Sequence, residues 1–104
     1  MRTGISTASL FMRQYNEDAV QTINRLGVKT CEIFLETFSE YTRAYGELLN
    51  ERKGNLSVNS VHLFTTNLEP QLFSENERTR KDALYFLGEA MNAANAFGAK
   101  YYTF

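Results

Sequence analysis

Apolar and polar residues recur with two different periods along this chain. Four short segments are rich in β-branched and aromatic residues, as strands are, namely TGISTASLF, TCEIFLE, LSVNSVHLF and KYYTF. Between them lie three segments whose apolar residues are spaced three and four apart, which is the period of an amphipathic helix. The pattern therefore predicts the order β-α-β-α-β-α-β.

The three predicted helices have clear end signals. The first is expected to begin at Asn16, a good N-cap, and the second at Ser39. The third follows a capping box formed by Ser74 and Glu77. Each helix is followed by a glycine, the residue that best adopts the left-handed backbone of a helix C-terminus. These glycines are Gly27, Gly54 and Gly98.

One long connection is predicted between the third strand and the third helix, over residues 65–73. Its apolar residues, Leu68, Leu72 and Phe73, suit either a lid over a substrate or a small local cluster. The sequence leaves these two alternatives open.

Strands that alternate with helices indicate a parallel sheet joined by right-handed crossovers. Two folds of this α/β class fit, an open doubly wound sheet and a (β/α)8 barrel. Doubly wound nucleotide-binding sheets usually have a glycine-rich turn after the first strand. The corresponding segment here, STASLFMRQYN, contains no glycine. This absence favours the barrel.

The faces of the predicted strands also favour a barrel. The second strand has an apolar face, suited to contact helices, and an opposite face that holds Glu32 and Glu36. In the third strand, Val58, Ser60 and His62 are two residues apart and are expected to share a face. Polar groups near the carboxyl ends of parallel strands are typical of a barrel mouth, where barrel active sites are built.

The composition limits the kinds of partner that the protein can bind and the cellular compartment in which it is expected. The 104 residues suffice for one domain, and a net charge of −1 offers no broad basic surface for nucleic acid or anionic membranes. The single cysteine, Cys31, excludes an internal disulfide and is expected to be a small buried hydrophobe. The sequence has no signal peptide and no apolar run of membrane-spanning length. We therefore expect a cytoplasmic protein without nucleic-acid or membrane partners.

Four segments, in this order, resemble the N-terminal half of the sugar phosphate isomerase/epimerase family, the xylose-isomerase-like barrels that include the endonuclease IV type. They are GISTASLF, LGVKTCEIFLETFSE, SVHLFT and FGAKYYTF. CEIF is similar to the family's glutamate-bearing second strand, and SVHLF to its third strand, which ends in histidine. The resemblance implies that residues 1–104 are a single unit, the first four strands of a (β/α)8 barrel that needs roughly 250 residues.

The resemblance also implies a function and a site. The complete protein would be a metal-dependent isomerase or epimerase of a sugar or sugar phosphate, with Glu32 and His62 as catalytic residues. His62 is also the candidate ligand for Mn, Mg, Co or Zn. The other ligands would lie on later strands, beyond Phe104, so no metal should bind tightly to this chain alone. Substrate contacts are expected from Ser6, Thr7 and Glu36.

Each of these residues has a structural alternative. His62 would be a hydrogen-bonded histidine inside the fold, and Glu32 a member of a buried ion pair. Glu36 would be solvated, and the hydroxyls of Ser6 and Thr7 would make ordinary loop hydrogen bonds.

Two other functions stay open at this point. One is a zinc phosphodiesterase of the endonuclease IV type that acts on DNA, and the other is a non-catalytic half-barrel that associates with another chain. We expect the isolated chain to lack isomerase activity. We also expect its unpaired outer strands to promote association, including a homo-oligomer.

Overall fold

In the computed structural model, residues 3–63 and 65–103 are described, with the backbone alone for residues 65–67. The strands β1 to β4 span Gly4–Ser6, Thr30–Leu35, Ser57–Leu63 and Tyr101–Thr103. The helices α1 to α4 span Asn16–Arg25, Arg43–Arg52, Thr65–Leu72 and Glu77–Ala96. Two 3₁₀ segments are Thr7–Leu10 and Phe38–Glu40.

The four strands form one all-parallel sheet in the order β1-β2-β3-β4. The predicted α/β class and parallel sheet are thus confirmed. Doubly wound sheets reverse their strand order at a switch point. The sheet described here has no such reversal, and right-handed crossovers between sequential strands put every connecting helix on one face.

The hydrophobic core lies between the sheet and the helices. All four helices contribute buried side chains to it, including Ile23 from α1, Leu49 from α2, Leu68 from α3 and Ala90 from α4. The alternating residues of β2 that meet them are Cys31, Ile33 and Leu35. The sheet therefore has one face covered by helices, whereas its other face, called here the open face, has none of these core residues.

Helix α4 buries a stripe of apolar residues at helical spacing. Ala83, Ala90, Ala94 and Phe97 are buried, and Leu87 packs against the core. Ala93 of the same helix allows α2 to approach closely, because Gly46 of α2 lies against the Ala93 backbone. The predicted glycine termini are also confirmed, because all three have positive φ angles of 58° to 81°.

Each of the three predicted helix N-termini is wrong in its cap or in its first residue. Helix α2 begins at Arg43 rather than at Ser39, and its N-cap is Thr42. Asn16 is the first residue of α1 rather than its cap, and Tyr15 occupies the N-cap position. The cap of α4 is Asn76, whose side chain accepts hydrogen bonds from the N–H groups of Arg78 and Thr79. A sequence pattern places a cap to within a few residues, and hydrogen-bond geometry then selects among neighbouring polar side chains.

The first strand is much shorter than the predicted TGISTASLF segment. It ends at Ser6, whose hydroxyl accepts a hydrogen bond from the N–H of Ala8 at 3.1 Å and so caps a 3₁₀ turn. A serine side chain can hydrogen-bond to nearby backbone groups and so compete with the pairing of a strand.

The predicted long connection over residues 65–73 is instead helix α3. Leu68 is fully buried and Leu72 packs against the core, so neither forms a lid. Pro70 lies inside this helix. Phe73 lies just beyond the helix and is 85% exposed.

A bulge in β3 changes which residues share a face. Cys31 pairs with Val58, but the next residue, Glu32, pairs with Ser60, so Asn59 is an extra residue on β3. Val58 consequently lies in the helix-facing core, while Ser60 follows Glu32 onto the open face. The prediction that Val58 shares a face with Ser60 and His62 is wrong for this reason.

Residues 3–63 and 65–103 contain no helix with the combined length and apolarity needed to cross a lipid bilayer.

Candidate functional site on the open face

The first row of the open face runs across the strands through Ser6, Glu32, Ser60 and Tyr101, which are register partners. The Ser60 hydroxyl donates a hydrogen bond to the Glu32 carboxylate at 2.7 Å. Glu32 is half-buried, and a hydroxyl rather than a cation satisfies it. A cleft of about 390 Å³ beside this row is lined by Ser6, Glu32 and Lys100, among others.

The second row lies one step nearer the carboxyl ends of the strands and contains Phe34, His62 and Thr103. The Phe34 and His62 rings are stacked, with centroids 5.6 Å apart and planes inclined by 25°. On its other side, His62 Nδ1 lies 3.2 Å from Thr103 Oγ1. The imidazole is therefore held between two neighbouring strands.

Glu32 and His62 lie on the same face of adjacent strands, in successive rows. The structure thus brings together the two residues predicted to be catalytic. Among the described residues, His62 makes no hydrogen bond or ion pair with Glu32 or Glu36. The side chain in hydrogen-bond contact with the imidazole is Thr103.

The two predicted hydroxyl groups have different surroundings. Ser6 lies on the open face and lines the cleft beside Glu32, although its hydroxyl also caps the following turn. Thr7 is buried, and its hydroxyl accepts a hydrogen bond from the N–H of Phe34 at 2.8 Å. Substrate binding by either residue remains a prediction, and the visible role of Thr7 is to join the first turn to β2.

Glu36 lies in a different cleft. It follows β2 and lines a cavity of about 710 Å³ along α1, together with Arg13, Asp18 and Arg25. Partial burial, with the nearby carboxylates of Glu40 and Glu17, raises the pKa of Glu36 above its usual range. The structure therefore separates Glu36 from the row that holds Glu32.

A buried carboxylate, Glu40, organises the loop after β2 and was not singled out from the sequence. Its Oε1 accepts hydrogen bonds from the N–H groups of Glu36 and Thr37. Its Oε2 accepts from the Asn16 side-chain amide at 3.0 Å and from the Tyr45 hydroxyl at 2.9 Å. The spacing of Thr37 and Glu40 is that of a capping box, which is the signal that could have identified it.

The network around Glu40 connects directly to the strand that carries Glu32. The Asn16 amide also donates to the backbone carbonyl of Phe34 at 2.8 Å. The Tyr45 hydroxyl lies 2.7 Å from Glu17 as well. Burial and these carboxylates raise the pKa of Tyr45, so its hydroxyl stays protonated and remains a donor. The end of β2 is thus held by buried hydrogen bonds to α1 and α2.

Glu40→Ala is expected to lower the free energy of unfolding by about 2 kcal/mol, because buried donors would lose their acceptor. Urea unfolding at neutral pH measures the change. The matched control is Glu47→Ala, since Glu47 forms only an exposed ion pair with Arg43 at 3.1 Å. That control should change stability by less than about 0.5 kcal/mol. Equal effects of the two substitutions would contradict a structural role for Glu40.

Cys31 is not a candidate nucleophile. Its side chain is buried on the helix-facing side of β2, as the sequence predicts. Burial raises the pKa of its thiol to about 12, so the reactive thiolate is scarce near neutral pH.

The donor atoms of the open face do not by themselves complete a metal site. Imidazole nitrogen and carboxylate oxygen, as in His62 and Glu32, are ligands that divalent ions accept. Within residues 3–63 and 65–103, however, no group of three or more His, Cys, Asp or Glu side chains is placed to hold an ion. The residues described here therefore do not fit a resident metal without further ligands. The ligands expected beyond Phe104 stay a prediction, and Phe104 itself lies outside the described residues.

Comparison with known proteins yields no match, whether to a protein-family model, a curated protein or a solved structure. Function is therefore inferred from the geometry of the open face and from the four sequence segments that carry the resemblance.

Proposed function

We propose that this chain contributes four strands of a (β/α)8 barrel whose complete form is a metal-dependent isomerase or epimerase of a sugar or sugar phosphate. The reaction removes a proton from the carbon next to a carbonyl and returns it elsewhere. Glu32 and His62 are the residues assigned to this proton transfer, with Ser6 as a substrate contact.

One observation carries the proposal, namely the arrangement of the sheet. Its strands are parallel and sequential, and core residues from all four helices meet one face. The other face presents a carboxylate, a hydroxyl and an imidazole on adjacent strands. In a closed barrel that face would turn inward, with His62 near the carboxyl end of β3, where barrel enzymes build their active sites.

The chemistry needs a base within hydrogen-bond reach of the proton it removes. In the proposed reaction, Glu32 or His62 takes the proton from the carbon next to the carbonyl, and the electron pair moves onto the carbonyl oxygen. In an epimerase, the resulting enediolate receives a proton on the opposite face of the same carbon. In an isomerase, it receives the proton at the neighbouring carbon, and the hydroxyl hydrogen of the first carbon passes to the former carbonyl oxygen, so that a new carbonyl forms at the first carbon. Ser60 orients the Glu32 carboxylate through their 2.7 Å hydrogen bond.

The metal part of the proposal derives from the sequence resemblance. When bound, a divalent ion would polarise the substrate carbonyl. Because the described residues offer too few ligands, the remaining ones would come from other strands of the complete barrel. His62 is the candidate ligand from this chain, and if it binds the ion then Glu32 alone takes the proton, because one nitrogen lone pair cannot do both.

Deuterium exchange tests the proposal even though the product is unidentified. The complete protein is incubated in D₂O with aldose and ketose sugars, their phosphates, and Mn²⁺, Mg²⁺, Co²⁺ or Zn²⁺. We expect ¹H NMR to show loss of the proton next to the carbonyl in one substrate. Glu32→Gln should slow this exchange by about 100-fold, and the exposed control Glu47→Gln should not. If the complete protein exchanges none of these substrates, the proposal is wrong.

The second candidate function is that of a non-catalytic half-barrel that pairs with another chain, and exposed apolar residues favour it. Leu84 and Met91 are exposed on α4, and Tyr101 is exposed on the outer strand β4. An outer strand such as β4 also has an unpaired edge in the described sheet, and unpaired strand edges promote pairing between chains.

We expect the 104-residue chain alone to associate at micromolar concentration and to lack exchange activity. Sedimentation velocity measures its oligomeric state, and the D₂O assay measures its activity. A stable monomer with one sharp thermal transition would contradict the half-barrel. Metal-dependent turnover by this chain alone would contradict the need for further strands.

A further inference from the structure

The two hydrogen-bond contacts of Thr103 constrain which ring nitrogen of His62 carries the proton. Thr103 Oγ1 lies 3.2 Å from His62 Nδ1 and also 3.2 Å from the backbone carbonyl oxygen of Val61. A threonine hydroxyl has a single hydrogen but can accept through its lone pairs. A carbonyl oxygen can only accept, so a hydrogen bond between Thr103 and Val61 requires the threonine hydroxyl as its donor.

This arrangement satisfies both contacts in only one tautomer. If Nδ1 carries the proton, it donates to Thr103 Oγ1, and Thr103 donates to Val61. If Nε2 carries the proton instead, Nδ1 and the Val61 carbonyl compete for the one hydroxyl hydrogen, and one contact loses its hydrogen bond. The first arrangement therefore makes one more hydrogen bond than the second.

The opposite side of the imidazole is fixed by packing. Phe34, the register partner of His62 on β2, stacks on the ring with centroids 5.6 Å apart. Thr103, the register partner on β4, holds the Nδ1 edge. Among the described residues, Nε2 makes no hydrogen bond. Its lone pair is consequently left for a group that approaches the open face.

We infer that Thr103 is a positioning residue that holds neutral His62 in the Nδ1–H tautomer, so that Nε2 presents a lone pair to a substrate hydroxyl or an acidic C–H. This inference rests on the proposed function for its substrate class, while the tautomer itself does not depend on it. Orientation of a functional histidine through its other ring nitrogen is a general device in enzyme sites. Thr103 thus acts through His62 and does not itself touch the reacting atoms.

The tautomer can be measured in the complete protein, where the His62 resonances are identified by their absence from the His62→Ala variant. His62 is the only histidine of these 104 residues. The complete protein is labelled with ¹⁵N-histidine and studied by NMR at a pH above which the ring-nitrogen shifts no longer change, so that the ring is neutral. We expect Nδ1 to give the resonance of a protonated ring nitrogen and Nε2 that of an unprotonated one. An Nε2–H resonance pattern in the unaltered protein would overturn the inference.

Two substitutions separate positioning from a purely structural role. Thr103→Val preserves shape but removes the hydroxyl, and it should shift His62 toward the Nε2–H tautomer, which free imidazole side chains favour. Thr103→Ser keeps the hydroxyl and should retain the Nδ1–H form. If Thr103→Val leaves the tautomer unchanged in a folded protein, as judged by its amide spectrum, Thr103 does not hold the ring.

Turnover of the complete protein adds a second readout. Thr103→Val should lower deuterium exchange by roughly tenfold, and Thr103→Ser should restore most of it. The two proposals fail in different ways. Exchange activity with an Nε2–H His62 would refute the role of Thr103 alone. No exchange with an Nδ1–H His62 would refute the isomerase proposal and leave the positioning of the ring established.

Discussion

His62→Ala is expected to lower the turnover of the complete enzyme by about 100-fold or more, the usual cost of a lost acid–base or positioning group. The fold should survive, because His62 is half-buried on the open face and lies outside the hydrophobic core. Its packing contact is a stacked ring pair with Phe34, and its hydrogen bond is to Thr103. Losing both should cost little stability compared with a core truncation.

Steady-state kinetics and a thermal melt of His62→Ala test this expectation together. Asn92→Ala is a suitable control, because Asn92 is exposed on α4 and lies on the helical layer rather than on the sheet. Retained turnover in His62→Ala, or a parallel loss of turnover and stability, would identify His62 as a structural histidine and remove the main site assignment.

Gly46→Ala is expected to lower the free energy of unfolding by about 3 kcal/mol or more, the upper range for overpacking a tight contact. A Cβ atom at residue 46 would lie 2.3 Å from the backbone carbonyl oxygen of Ala93 and 2.8 Å from its Cα. These are backbone atoms of α4, so no side-chain rotation can relieve the overlap. Helices α2 and α4 would have to separate.

Gly88→Ala provides the matched control within the partner helix. A Cβ atom at residue 88 would meet nothing within 4 Å, and its backbone is helical. Alanine is favoured over glycine in a helix, so this change should stabilise the protein by about 0.5–1 kcal/mol. Urea unfolding of both variants gives the comparison. If Gly46→Ala also stabilises the protein, the close approach of α2 and α4 does not exist in solution.

Local periodicity was sufficient to predict most of the elements. The α4 stripe that includes Ala83 and Ala90 follows directly from helical spacing, and the burial of Cys31 from strand alternation. Gly27 and Gly98 end their helices because a left-handed backbone is favourable for glycine. Each of these inferences needs only a residue and its neighbours along the chain.

Helix α3 shows where local signals conflict with packing. Pro70 has no N–H to donate to the carbonyl four residues before it, which argues against a helix. Leu68, in contrast, is fully buried in the core. Burial of a leucine side chain is worth about 1.5–3 kcal/mol and offsets much of the cost of the proline. The sequence shows the proline but not the cavity that receives the leucine.

The residues of the candidate site were likewise predicted only in part from the sequence. The sequence identified Glu32 and His62, because polar residues on strand faces stand out from an apolar alternation. It could not identify the bulge at Asn59, because a bulge exists only as a mismatch between paired strands. That bulge moves Val58 into the core and leaves His62 on the open face. Nor could the sequence identify Thr103 as the partner of His62, because the two residues are 41 positions apart and meet only when β4 pairs with β3.

The sequence by itself thus determined the kind and order of the elements through short-range periodicity. The tertiary structure alone decided strand register, and register determines which side chains share a face and exchange hydrogen bonds.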